Sequence, residues 1–223
     1  MKIPHGVFVT GTDTGAGKTL VAAALLRALG DAGLRAVGMK PVAAGIDPGC
    51  GVNADVETLA RAGNVDAPLA DRNPYAFDAP VAPHLAARAE GRAIDIAVIA
   101  QAYARLAALA DAVVVEGAGG VLVPLDEHLD MLDIACVLGL PVLLVVGMRL
   151  GCLNHALLSA LAIRARGLVL AGWVANRLSP DMPLADANAD ALARRLGIAP
   201  LATFGVGMSS RFAPEALKAL EMF

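Results

Sequence analysis

The sequence predicts an α/β fold in which a mostly parallel sheet is flanked by helices, in one domain over residues 1–223. Three observations predict it. Short apolar runs of β-branched character alternate with longer Ala/Leu-rich segments. The runs are apolar on both pleat faces, as buried parallel strands are. Glycines punctuate the ends of the longer segments. The strand runs fall at 6–10, 34–39, 112–115, 141–146, 168–175 and 199–204. Helices are expected near 18–30, 54–62, 94–109, 130–138, 152–166, 186–196 and 213–221. Gly30, Gly33, Gly167 and Gly197 sit where helices should stop. Stretches 41–53 and 63–83 read as irregular loops, long enough to be functional. Ligands on such sheets collect beyond the carboxyl ends of the strands, so the chemistry is expected there.

A chain of 223 residues suits one domain, and 57% of it is hydrophobic. Its mean hydropathy of +0.62 raises the question of a membrane. The longest charge-free runs, 134–148 and 196–210, have 15 residues each and contain Pro and Gly. A spanning helix needs about 20 apolar residues. Alanine, with 47 copies, accounts for much of the hydropathy. Eighteen basic and 21 acidic residues give a net charge of −3, without a Lys/Arg run, which argues against a nucleic-acid partner. Aromatic residues, at 4%, are too few for a base-stacking platform. Three cysteines without a C-x-x-C point to a reducing compartment. The opening MKIPHGVFVTG lacks the longer apolar stretch and cleavage site of a signal peptide. A soluble cytoplasmic protein is expected, with neither membrane nor nucleic acid as partner.

After the first strand run comes GTDTGAGKT at residues 11–19, then an Ala/Leu helix. Strand, Gly-rich turn and helix form the context of a phosphate-binding loop, so the fold is expected to be of the P-loop NTPase type. Glycines let backbone N–H groups close around phosphate oxygens, and the helix start adds unpaired donors and a positive dipole end. Lys18 would bring a charge to the β and γ phosphates, and Thr19 a hydroxyl to Mg²⁺. The usual spacing has four residues between the first Gly and Gly-Lys. Here Gly11 to Gly17 encloses five, so either Thr12 takes the first position or the loop is a variant. No N-K-x-D guanine-reading motif occurs, which favours ATP.

Such a loop works with an acid at the end of a buried strand. Glu116 follows the apolar run at 112–115, and the glycines of 117–120 allow close backbone approach to a ligand. Asp55 opens a helix, where both a cap and a metal ligand fit. Lys40 ends the second strand run, where it would face the ligand crevice and stabilise transferring charge. Pro41 fixes the turn after it.

These patches, in this order, resemble the dethiobiotin synthetase family. The resemblance is carried by VTGTDTGAGKT (9–19), GMKPVAAG (38–45), NPYAF (73–77), Pro83 with His84, VEGAGG (115–120), PVLLVVG (141–147), LGCLNH (150–155) and AGWVAN (171–176). It covers residues 7 to 178, and the last 40 residues match poorly. It implies a homodimer using ATP and Mg²⁺, with sites at the subunit interface. It also implies the reaction. A diaminononanoate loaded with CO2 as a carbamate attacks the γ-phosphate, and the mixed anhydride closes on the second amine to a cyclic urea. By the resemblance Lys40 is the catalytic lysine and Lys18 the P-loop lysine. Thr19, Asp55 and Glu116 are the Mg²⁺ set. Gly15, Ala16, Gly17, Lys18, Thr19 and Leu20 cradle the phosphates, with Gly117, Ala118 and Gly119 alongside the nucleotide. Thr14 touches the carbamate, and Asn176 reads the adenine edge. Gly151, Cys152, Leu153 and Asn154 receive the substrate carboxylate from the other subunit, which suits an unpaired helix start.

The chain departs from the family pattern in places. Gly15 stands where the family often has Glu. Ala44 stands where it often has Ser, leaving only backbone for the substrate. The adenine-side loop is replaced by FGVGM at 204–208. Other residues read as structural. His5 and His128 are expected at the surface, His84 at a helix start, and Cys50 in an exposed loop. Cys136 and Trp173 are expected in the core. Cys152, at a helix start, would be reactive there but has no evident base. Arg149 approaches phosphate or, by slight preference, pairs across a dimer interface. A competing reading is a nucleotide-switched ATPase of the partitioning or site-positioning kind. That group carries an extra lysine early in the loop where this chain has Asp13, and uses basic or amphipathic surfaces not found here. A cobyrinate-type amidoligase needs a glutaminase domain for which 223 residues leave no room.

Overall fold

Each apolar run became a strand of one sheet, in a computed structural model that describes residues 6–47, 49, 51–205 and 210–220. His5, Cys50 and residues 206–208 of the adenine-side stretch lie outside the described residues. The strands are β1 (Gly6–Gly11), β2 (Ala36–Met39), β3 (Val42–Ala44), β4 (Tyr75–Phe77), β5 (Ala112–Gly120), β6 (Val142–Met148), β7 (Leu170–Arg177) and β8 (Ala202–Gly205). Six of them form a wholly parallel sheet in the order β2-β5-β1-β6-β7-β8. The helices are α1 (Lys18–Asp31), α2 (Ala54–Ala62), α3 (Leu69–Arg72), α4 (Pro83–Ala89), α5 (Ile96–Leu109), α6 (Met131–Leu138), α7 (Cys152–Ala165), α8 (Ala185–Leu196) and α9 (Pro214–Leu220). The α/β class is as expected from the sequence. From β1 the chain leaves through α1 to β2 on one side, while β5 connects to β6 on the other. That reversal opens a crevice at the carboxyl end of β1.

Alternate residues of each strand serve opposite faces, which is why the runs are apolar throughout. Phe8, Val113, Val115, Leu144, Val146 and Trp173 pack into one core with α5, α6, α7 and α8. Val7, Val9, Val114, Leu143, Val145 and Val174 pack into the other, with α1 and α9. Trp173 is fully buried and donates its indole N–H to Ile198 O at 3.0 Å, as a core residue. His128 is exposed, and His84 lies in the first turn of α4, both as expected.

Four expectations need correction. The stretches 41–53 and 63–83 are not wholly irregular: β3 and β4 pair in parallel as a second small sheet, and α3 precedes β4. Strands of three residues are too short to show a period. Helix α1 runs through Gly30 to Asp31, and Gly33, at φ 84°, takes the left-handed position beyond it. Cys136 is exposed, because α6 turns Met131, Leu132, Ile134 and Ala135 to the core instead. Cys152 heads α7 but is buried, which removes it from solution reagents. Among the described residues no helix is long and apolar enough to cross a membrane.

Candidate active site

Residues 12–17 leave β1 and wrap over the carboxyl ends of the sheet before α1 begins. Two bonds anchor the start: Thr12 N donates to Val145 O at 2.9 Å, and Gly147 N donates to Thr12 Oγ1 at 3.2 Å. Gly17 caps α1 at φ 93°, a left-handed conformation costly for any residue with a Cβ. A Cβ there would also meet Asn176 Nδ2 at 2.0 Å. The Asn176 amide donates to Ala16 O at 2.8 Å, so β7 holds the loop from its far side. Lys18 folds back and donates to Asp13 O at 3.1 Å. Burial lowers its ammonium to about 8, with the positive charge of Lys40 adding to the effect.

Below the loop lies a cleft of about 620 Å³. Thr14, Gly15, Gly17, Lys18 and Thr19 line one side of it. Lys40, Ala44, Asp55, Glu116, Ala118 and Gly119 line the floor, and residues 80–83 form the facing wall. Glu116, within β5, is wholly buried. Its Oε1 accepts from Thr19 Oγ1 at 2.8 Å and from Lys40 Nζ at 2.6 Å. Its Oε2 is buried without a partner. Lys40 Nζ also donates to Asp55 Oδ2 at 2.8 Å. Burial pushes the Lys40 ammonium down, but Glu116 and Asp55 outweigh it and hold its pKa above the ordinary lysine value. Partial burial pushes the Asp55 carboxyl up, and the charge and hydrogen bond of Lys40, joined by the Thr19 hydrogen bond and the Lys18 charge, together more than reverse that. Two cations and two anions therefore balance in the cleft.

The oxygen set of Thr19, Asp55 and Glu116 suits Mg²⁺. All three are hard donors, and the partnerless Glu116 Oε2 is a carboxylate oxygen with capacity to spare. Among the described residues no group of three His, Cys, Asp or Glu could hold an ion alone. Mg²⁺ is ordinarily held this way, by one or two carboxylates together with substrate phosphates and water.

Other residues named from the sequence stand outside the cleft. Ala16 and Gly117 lie behind its surface: Ala16 is buried, and a Cβ on Gly117 would meet Phe8 and Met131 at 3.0 Å. Leu20 is exposed on α1. Asn176 is buried behind the loop. Gly151, Cys152, Leu153 and Asn154 form the start of α7 and do not line the cleft of their own chain. Arg149 pairs with Asp13 of the phosphate loop within its own chain, which places it beside the phosphate site.

Two asparagines had no role assigned from the sequence. Asn73, buried, donates to Lys40 O at 2.7 Å and Tyr75 O at 3.0 Å, and Lys40 N donates to Arg72 O at 2.8 Å. The backbone of Lys40 is thus fixed from the β4 side. Asn53 caps α2 by accepting from Asp55 N at 3.0 Å, and donates to Gly45 O at 2.9 Å and Ala44 O at 3.2 Å. Asn53 falls just before a helix run, which is a cap signal; Asn73 is followed by Pro74, which is a turn signal.

Fold and cleft together define a protein of the P-loop class, with a phosphate-loop backbone above a cluster of lysines and acids. The AAA domain family matches residues 5–204. The ATP-dependent dethiobiotin synthetase BioD of Nitrosospira multiformis is 55% identical over 196 residues, 88% of this chain and 86% of that protein. Its namesake from Aromatoleum aromaticum is 54% identical over 203 residues, 90% of each chain. Among solved structures, the MinC:MinD cell division complex of Aquifex aeolicus has a TM-score of 0.53 at 12% identity, over 98% of this chain and 86% of that one. The septum site-determining protein MinD with Mg-ADP from Pyrococcus horikoshii scores 0.52 at 16% identity, over 97% and 86%. At such identities the likeness is one of fold alone. The chain belongs to the ATP-dependent dethiobiotin synthetase family, and it is an ATP-dependent ligase of biotin biosynthesis.

Proposed function

We propose that the protein closes a cyclic urea on a diaminononanoate, using CO2 and ATP and releasing ADP and phosphate. The observation that carries this reading is the Lys40–Asp55–Glu116–Thr19 cluster beneath a phosphate loop, in a chain 55% identical to a dethiobiotin synthetase. The substrate amine's lone pair attacks the carbon of CO2, a C=O electron pair moves onto oxygen, and a proton of that amine passes to solvent, leaving a carbamate. A carbamate oxygen attacks the γ-phosphorus, and the bond to the β-bridging oxygen breaks with its electron pair leaving on ADP. The second amine then attacks the carbonyl carbon of the carbamic–phosphoric anhydride. Phosphate departs with the C–O electron pair, and the amine proton is lost to phosphate or solvent.

The carbamate is already anionic, so the site needs cations and N–H donors rather than a strong base. The backbone N–H groups of 15–20 receive phosphate oxygens, and Lys18 neutralises them. Thr14 and Lys40 face the carbamate. Thr19, Asp55 and Glu116 would hold Mg²⁺, which neutralises charge developing on the phosphates when bound. Asn176, Gly117, Ala118 and Gly119 belong to the nucleotide side, and the backbone of Ala44 to the substrate side. The protein works as a homodimer, in which the start of α7 (Gly151, Cys152, Leu153, Asn154) takes the substrate carboxylate bound at the partner's cleft. Leu150, fully exposed beside it, and the exposed Leu158 and Leu161 of α7 support burial there. The cytoplasm, where thiols stay reduced, is its compartment.

Mixing the protein with ATP, Mg²⁺, bicarbonate and the diamine tests the proposal. Phosphate release should depend on the diamine, and the product should gain the mass of CO2 less water. Diamine-independent release would contradict it.

A further inference from the structure

Lys40 touches both acids of the proposed metal set at 2.6 and 2.8 Å. Its ammonium takes Glu116 Oε1, the oxygen that also accepts from Thr19. A lysine so engaged has at most one donor left for a substrate. We propose that Lys40 is a placeholder for the metal: in the metal-free enzyme its ammonium neutralises Asp55 and Glu116, and metal binding releases it toward the substrate.

The argument is electrostatic. A divalent ion at the same carboxylates would stand close to a buried ammonium, and like charges at that distance repel strongly where water is scarce. Glu116 is fully buried and Lys40 nearly so, so little solvent screens them. The lysine side chain can respond, since its four-carbon stem is flexible and its head is a compact point charge. It already lines the cleft, with Thr14, Ala44 and residues 80–83 around the same space. The displaced ammonium therefore has a place to go, and that place is where the carbamate is proposed to bind. Until the metal arrives, the same ammonium spares Glu116 an uncompensated buried charge. The inference rests on Thr19, Asp55 and Glu116 being the metal set.

Titration of the nucleotide-free protein with Mn²⁺ by calorimetry tests it. The Lys40→Met protein should bind Mn²⁺ at least about tenfold more tightly than wild type, because the competing cation is gone. Lys40→Arg, which keeps the charge, should stay near the wild-type value. Equal or weaker binding by Lys40→Met would overturn the proposal, as would tightening by Lys40→Arg. Wild-type protein supplies a second test should Lys40→Met fail to fold. Pulse acylation with acetic anhydride, read by mass spectrometry against Lys218, should label Lys40 faster once Mn²⁺ is added. An unchanged rate would overturn the proposal. Neither measurement contains ATP, diamine or CO2, so failure of the ligase reading would leave both results standing.

Discussion

Lys18 and Lys40 show burial acting on two lysines with opposite outcomes. Lys18 has only a backbone carbonyl within hydrogen-bond reach, and burial lowers its pKa to about 8. Lys40 has two carboxylates in contact and is raised. The sign of the pH effect follows from proton counts. Between pH about 8 and 10.5 the unfolded chain holds more protons at Lys18 than the folded one, so stability should rise with pH in that window. Below it both states are protonated and the cost of the buried ammonium is fully present. Urea midpoints from pH 8 to 10 should climb more steeply in wild type than in Lys18→Met; parallel curves would refute the assignment. Lys40→Ala should lower turnover by about a hundredfold or more while ATP affinity changes far less, because its charge serves the transition state. Equal losses in both would count against that role. Lys18, Lys40, Thr19 and Glu116 were legible in the sequence because motif and strand end place them. Asn73 was not, because its bond to Lys40 O joins residues 33 apart in the chain. The pairing of Arg149 with Asp13 was not legible for the same reason: the two lie 136 residues apart.

At the scale of elements, two helix starts set the geometry. Helix α1 begins at Gly17, whose φ of 93° and 2.0 Å Cβ approach to Asn176 leave no room for a side chain. Gly17→Ala should cost about 1–3 kcal/mol of stability and displace the phosphate loop, seen as a lower Tm and weaker ATP binding. Helix α2 begins at Asn53 and carries Asp55 in its first turn. Asn53→Ala should cost about 1 kcal/mol through the lost cap and weaken Mg-ATP binding as Asp55 loses its anchor. A variant with wild-type Mg-ATP affinity would show that the cap serves stability alone. The long strands and helices were legible because each shows several periods of its pattern. The small sheet was not, because β3 and β4 draw their order from each other and from Asn73 rather than from any repeat.

For the whole molecule, the high hydropathy has a physical source. A parallel sheet covered on both faces needs apolar residues at every strand position, and Ala-rich helices can approach it closely. Of the charged residues buried in the described interior, Lys18, Lys40 and Glu116 meet at one cleft, and Asp71 pairs with Arg105 elsewhere. The exposed leucines of α7 lie away from that cleft. Sedimentation should therefore report a dimer, and Leu161→Glu should shift it toward monomer with loss of activity. A wild-type monomer with full turnover would remove α7 from the site. The central claim is that this cleft couples ATP cleavage to ring closure on a diamine. Its most direct measurement follows phosphate and product together, with ATP, Mg²⁺, bicarbonate and diaminononanoate. One phosphate released per cyclic urea formed, and none without the diamine, is the predicted result. Phosphate release that ignores the diamine, or a diamine recovered unchanged, would contradict it.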